Sequence, residues 1–421
     1  MSAKDTSSST VPELPAEIWL TIFQIATYVP RETDYSATTV EPGLFCSYDE
    51  LQARAFEAVL PLRRAIVQVS RLFYQIGAEI LYTTFHTEPE YTTISCRRSL
   101  LFSILLVSRP ELGRFVRRLS LRWSEEDEEK NYRIINHCPN VAILSSFLHH
   151  DNIVDRRWWR GLPTTIRSFD ASVLYIPMNE ILALLQMLPH LEILHLWNLR
   201  GDSISHAHTP VRLSALRILS VYPNSGNNNI KSCLPVLSTV QLPRLRALAT
   251  NVGDVDVGLS FPLDIWRRLE YFKVDSRSCL GLRSDWFHNL RRLHISVGFA
   301  GVQRCLTHLP FDQLECLTMQ TATTSPNQWK RLVELVMVVP LDAKAMPMLK
   351  LFQLGWAYTG IYGYYRYSLR SAEDRDGFIQ YFETLVTRFE QRGVHFAERS
   401  EREICSWLEP VRDVLAACKR S

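Results

Sequence analysis

Adjacent imidazoles beside a carboxylate, as in His149-His150-Asp151, are the donor types that hold zinc. Neighbouring residues of a strand point to opposite faces, so the stretch reads as a solvated loop instead. His137-Cys138-Pro139 sets an imidazole beside a thiol, the pairing that yields a nucleophilic thiolate, but a turn before the next element accounts for it better. Residues 362–367 gather tyrosines around Arg366, a composition that stacks on nucleic-acid bases. Against that, the chain carries a net charge of only +3 over 421 residues, so packing or a protein interface is the expectation. The acidic run at 125–129 reads as a solvated loop or as a docking patch for a basic partner. Gly-x-Ser-x-Gly, a glycine-rich phosphate loop and His-Glu-x-x-His are all missing. No catalytic residue, cofactor-binding residue or metal ligand is therefore assigned, and no cofactor is expected.

Hydrophobic residues make up 46% and charged ones 22%, an ordinary globular balance. So small a net charge argues against nucleic acid or an anionic membrane as partner. Residues 1–10 contain Lys4 but no apolar core, so no secretory leader is expected. The longest apolar runs, such as 332–341, are too short to cross a bilayer. The nine cysteines are scattered and never form Cys-x-x-Cys, which suits free thiols in a reducing compartment.

The elements that position everything else repeat. The pattern apolar-x-x-apolar begins at Val116, Val141, Ile166, Leu191, Leu216, Leu245, Leu269, Leu290, Leu314 and Leu349, and a further apolar residue two places on extends it in all but the units at Val141 and Leu245. The first four steps are each 25 residues (141−116, 166−141, 191−166, 216−191), and the later ones are 29, 24, 21, 24 and 35. That period is the period of leucine-rich repeats, and the match is to a degenerate member of that class. Apolar residues two apart share one face of a short strand. Helical patterns lie between strands, as at 179–188 and 329–338, and Pro189, Pro243, Pro310 or Pro347 often precedes the next strand. Each unit must stack on its neighbours to cover its apolar face, giving a curved solenoid. Residues 226–229 and the long last step read as loop excursions. The terminal stretch, with Phe378, Phe382, Leu385 and Phe389 at helical spacing, Gly393, and a further helix over 401–417, reads as the cap of the last edge.

Strand alternation also predicts a binding face. Taking the first apolar residue of each unit as position one, positions four and six face the core and positions three, five and seven face the other way. This puts Arg118, Ser120, Arg122, His195, Trp197, Tyr222, Tyr271, Lys273, Asp275, Arg292 and His294 on one concave surface. Trp, Tyr and Arg are the side chains that anchor interfaces, so this face is the candidate site for an as yet unidentified target protein.

The N-terminal stretch Leu14-Pro15-Ala16-Glu17-Ile18-Trp19-Leu20-Thr21-Ile22-Phe23-Gln24-Ile25-Ala26 predicts a helix over 15–28, with Pro15 at its first position and Glu17 at the positive end of its dipole. Ile18, Ile22 and Ile25 make one apolar row, and Trp19, Phe23 and Ala26 a second beside it. Two rows are too wide for one small core, so either the helix is buried on two sides of its own domain or one side awaits a partner. A helical pattern over 48–60 and another after Pro61, with Ala65, Val69, Phe73 and Ile76 on one face, then lead to Leu81-Tyr82 and an extended 83–85. Leu14, Pro15, Glu17, Ile18, Ile22 and Phe23, followed by this second half, resemble an F-box, with Phe73 where that motif usually has Trp. The split form, with its long insertion, is similar to F-box proteins of filamentous and mushroom-forming fungi.

The resemblance implies an α/β chain in which a three-helix F-box is followed by a leucine-rich-repeat solenoid and a C-terminal helical cap. The expected divisions are a disordered tail at 1–12, the split F-box at 13–85, the solenoid at 86–356 and the cap at 357–421. It also implies a non-catalytic, substrate-recruiting subunit of an SCF-type cullin ubiquitin ligase, cytoplasmic or nuclear. Leu14, Pro15, Ile18, Ile22 and Phe23 would dock on a Skp-family adaptor, and through it on a cullin. The alternative is a repeat scaffold whose N-terminal helices only cap the solenoid and which has no ubiquitin role.

Overall fold

Positions four and six of a repeat can leave water only against the same positions of a neighbouring repeat. In a computed structural model, the chain meets this requirement with one open sheet. The structure describes residues 14–29, 50–86, 93–123, 128–148, 161–172, 178–199, 211–223, 240–250, 261–275, 286–296, 311–321, 346–356, 371–400 and 409–420. The disordered tail at 1–12, residues 149–151, 226–229 and 362–367, the loop at 30–49 and the helix at 329–338 therefore lie outside the described residues, as does most of the acidic run at 125–129.

Three helices open the chain, α1 (Ala16–Ala26), α2 (Glu50–Val69) and α3 (Arg71–Tyr82), and the last leads into β1 (Thr84–His86). Next come α4 (Thr93–Ser108), a 3₁₀ turn (Pro110–Phe115), β2 (Arg118–Trp123), α5 (Glu128–His137), β3 (Ile143–Leu148) and β4 (Ser168–Ser172). The middle holds α6 (Met178–Gln186), β5 (Ile193–Leu199), β6 (Ile218–Pro223), β7 (Ala247–Thr250), α7 (Leu263–Arg268) and β8 (Tyr271–Asp275). The chain closes with β9 (Arg292–Ser296), β10 (Cys316–Thr321), β11 (Leu351–Trp356), α8 (Ala372–Gln391), β12 (His395–Ser400), β13 (Glu409–Pro410) and α9 (Val411–Arg420). The strands lie side by side in chain order, β1 to β12 parallel and β13 antiparallel on β12.

All ten units of the repeat form strands, β2 to β11, with position four in register throughout and one shift after Trp197 in the β5–β6 pair. Position four runs across the sheet as Leu119, Leu144, Phe169, Leu194, Leu219 and Leu248, then Phe272, Leu293, Leu317 and Phe352. Every one is buried in a single apolar cluster that spans the array. Position one closes a turn: Leu191 N–H donates to Leu188 O at 3.2 Å, Leu245 N–H to Leu242 O at 3.3 Å and Leu349 N–H to Met346 O at 3.2 Å. The prolines that precede strands now have a reason. Pro139, Pro189, Pro243 and Pro347 occupy the second place of these turns, where a fixed φ suits the backbone.

The three opening helices pack around aromatic rings. Phe73 of α3 lies 4.8 Å from Trp19 and 5.0 Å from Phe23 of α1, centroid to centroid. The expected break at Pro61 is absent: α2 continues through it, and the chain turns instead at Ser70, whose side chain accepts from Phe73 N–H at 3.1 Å. An interior proline costs a helix about 3 kcal/mol, which packing of α2 along α3 offsets. Buried Arg63 ties the ends of this module together. It donates through Nη2 to Thr27 O at 2.8 Å and through Nη1 to Ile80 O at 3.2 Å, and it lies 5.3 Å from the centre of the Phe56 ring.

The far end departs from the expected cap in one respect: the sheet itself continues into it. Ser371 caps α8 by accepting from Asp374 N–H at 3.0 Å, and Gly393, at φ +75°, ends the helix and turns the chain into β12. Phe382 and Phe389 pack on Phe396 of β12 at 6.2 and 5.0 Å. The last helix, α9, begins only at Val411, later than expected.

Candidate functional site

The N-terminal helix turns the aromatic residues of its second apolar row inward and leaves Ala26 of that row exposed. Trp19 and Phe23 turn inward onto Phe73, and Phe23 is only 5% exposed. Leu14, Ile18, Ile22 and Ile25 stay outside, at 43%, 46%, 40% and 74% exposure. Pro15, just before the first turn, is exposed as well. Of the five residues expected to dock on an adaptor, Leu14, Pro15, Ile18 and Ile22 are thus at the surface. Phe23 is buried instead, its ring packed against Phe73 between α1 and α3.

Exposed apolar side chains are unevenly spread. Of fourteen large ones among the described residues, twelve lie between Leu14 and Val107, the other two being Leu263 and Met348. The twelve include Leu100, Leu101, Ile104 and Val107 on α4. Lone exposed apolar residues need no explanation, but concentrated ones mark interaction surfaces.

The second candidate surface is the sheet face opposite the main core. Arg118, Tyr271 and Arg292 sit at position three, His195, Lys273 and His294 at position five, and Trp197 and Tyr222 at position seven, all on that face. Arg122 lies at position seven of β2, its side chain outside the described residues. Two groups are brought together. Trp197 Nε1–H donates to Asp170 Oδ1 at 2.7 Å, and its ring stacks on Tyr222 at 4.1 Å and 6°. On the far side of β7, the Tyr271 hydroxyl meets His294 Nδ1 at 3.3 Å, with Lys273 directly opposite His294 in register. Ala247 and Ala249 lie between the groups and, with Ile193, Ile218 and Tyr271, form a small apolar cluster of their own. Arg118 stands apart, three strands from His195, or roughly 14 Å at the usual strand spacing.

This face is less open than strand alternation alone suggests. Arg118, His195, Tyr271 and His294 are buried, Trp197, Tyr222 and Lys273 half-buried, and only Arg292 is exposed. Alternation determines which way a side chain points, whereas exposure depends on what packs beside it. Here rings stack and polar groups pair across strands. Asp170 and the Thr318–Gln353 pair, joined at 2.6 Å, belong to the same face and were missed. The only signal for them was the polar residue at position five.

The thiolate reading of Cys138 does not survive. Its thiol is fully buried after α5, and burial pushes its pKa up to about 12, far from a nucleophile's. His137 turns away, with Nδ1 at 2.7 Å from Arg133 O. Among the described residues no group of three His, Cys, Asp or Glu side chains is gathered as a metal would need, and no helix is long and apolar enough to cross a membrane. No family model matches the chain, and no curated protein matches it.

Proposed function

We propose that the chain is the substrate-recognition subunit of an SCF-type cullin ubiquitin ligase. Residues 13–85 act as an F-box that docks on a Skp-family adaptor, and a curved leucine-rich-repeat solenoid holds the target protein. The observation that carries this reading is the exposed row Ile18, Ile22 and Ile25 on α1, with Leu14 just before it, in the region where exposed apolar side chains concentrate. A helix that keeps one apolar row in its own core and offers the other to solvent suits a partner that reads residues one helical turn apart. Such a chain makes and breaks no bond itself. It contributes proximity, holding target lysines near a separate conjugating enzyme. A cytoplasmic or nuclear location follows from that role.

The second reading, a protein-binding scaffold with no ubiquitin role, draws support from the junction of α3 with β1. One residue separates them, so the last of the three helices runs directly into the first edge strand of the sheet. Co-expression with a Skp-family adaptor and a cullin N-terminal domain distinguishes the two. A stable three-component complex on gel filtration is expected for the ligase subunit. A folded chain that elutes alone leaves the scaffold.

A further inference from the structure

From Arg167 onward, position two of each repeat, just before the strand begins, forms a charged ladder along one rim of the sheet. Backbone bonds hold its rungs together: Arg246 N–H donates to Arg217 O at 2.9 Å, Glu270 N–H to Arg246 O at 2.8 Å and Arg291 N–H to Glu270 O at 2.9 Å. From Arg167 to Lys350 the signs run plus, minus, plus, plus, minus, plus, minus, plus. Opposite neighbours pair: Arg167 with Glu192 at 3.2 Å, Arg246 with Glu270 at 3.1 Å and Lys350 with Glu315 at 3.9 Å. The alternation fails once, where Arg217 and Arg246 are adjacent rungs. Like charges on neighbouring strands are unfavourable.

A notch of about 610 Å³ opens at that fault. Arg217, Arg244, Arg246, Arg268 and Arg291 line it, together with Glu270. Arg244 comes from the turn before β7, and Arg268 is held by Asp264 at 3.0 Å. Arg246 pairs with Glu270 and Arg268 with Asp264, so among the described residues the lining carries more guanidinium groups than carboxylates. Arg244 and Arg291 are exposed and have no acidic partner among the described residues. The volume is that of a small-ligand site, typically about 300–1,000 Å³. Guanidinium forks converging from adjacent repeats match phosphate oxygens better than single ammonium groups would.

We propose that this notch binds a compact, polyphosphorylated small molecule. Compactness follows from the notch itself, about 610 Å³, and from the Arg167–Glu192 and Lys350–Glu315 pairs, which neutralise the rungs flanking it on either side. The site lies on the rim of the sheet, away from α1, and stands whether or not the chain joins a ligase.

Isothermal titration of the full chain with inorganic tripolyphosphate tests this at physiological salt. One saturable site is expected, weakened about tenfold or more by Arg244→Gln with Arg291→Gln, since each removes a charge-assisted contact. Both residues are exposed, and an unchanged circular-dichroism melt confirms that the double variant folds. Arg167→Gln, outside the notch, is expected to change affinity less than about twofold. No saturable binding, or equal affinity in the double variant, overturns the proposal. Sulfate binding as tightly as tripolyphosphate overturns it too, and so does a phosphoserine peptide binding more tightly.

Discussion

Replacing Arg63 with Met removes the clip that joins the ends of α1 and α3. Its two bonds, at 2.8 Å to Thr27 O and 3.2 Å to Ile80 O, reach carbonyls at helix C-termini, where the dipole is negative and intrahelical donors have run out. Hydrogen bonds to a charged group contribute about 1.5–3 kcal/mol each, so about 3–6 kcal/mol is at stake. Methionine returns part of this, because it fills the space and needs no buried charge, which leaves a net loss of about 2–4 kcal/mol. Arg63→Lys keeps the charge but cannot fork to two carbonyls, and about half that loss is expected. The effect is local, since α1 has few other ties. Hydrogen exchange of α1 amides reads it directly, and Arg63→Met should accelerate exchange by about 30- to 1,000-fold. The reasoning is refuted if α1 exchange in Arg63→Met stays within about threefold of the parent while the β5 and β6 amides also stay unchanged.

Two glycines should respond with opposite signs. A Cβ at Gly113 would lie 1.8 Å from His137 O, a backbone atom that cannot swing away, so Gly113→Ala should cost about 1–3 kcal/mol in denaturant unfolding. Gly377 lies inside α8 with nothing within 4 Å of a new Cβ, and Gly377→Ala should gain about 0.5–1 kcal/mol in the same assay. Cys138 should resist alkylation at pH 8 until the chain is unfolded, as peptide mass spectrometry will report. Its folded pKa, near 12, lies above the unfolded value, so the stability owed to the neutral thiol is intact below about pH 9 and is lost as pH rises toward 12. Between pH 9 and 10 the parent should therefore lose stability faster than Cys138→Ala, by up to about 1.4 kcal/mol per pH unit.

Ten strands were readable because their signal is local: apolar residues at positions one and four in every unit and at position six in eight of the ten, with proline at the second place of the preceding turn in four. β12 escaped because it lacks two of the three, with Gly393 at position one and Glu398 at position six. Pro61 misled because tertiary packing outweighs a local helix penalty. In α1 the periodicity separated two apolar rows, but either could have faced inward. Phe73, fifty residues after Phe23, decides it. On the sheet face, direction was readable and burial was not. The carboxylate that holds Trp197 belongs to Asp170, 27 residues earlier, and no local pattern links them.

The most direct test of the central claim is the affinity of the purified chain for a Skp-family adaptor, measured for the parent and for the variant with Leu14, Pro15 and Ile18 changed to Ala. These residues are exposed and α1 keeps its inner row, so the variant should fold normally. The account predicts tight binding by the parent and a loss of about a hundredfold or more in the variant, since apolar anchors at the centre of an interface each contribute about 1–2 kcal/mol. A well-folded parent that does not bind, or a variant that binds as tightly as the parent, would contradict it.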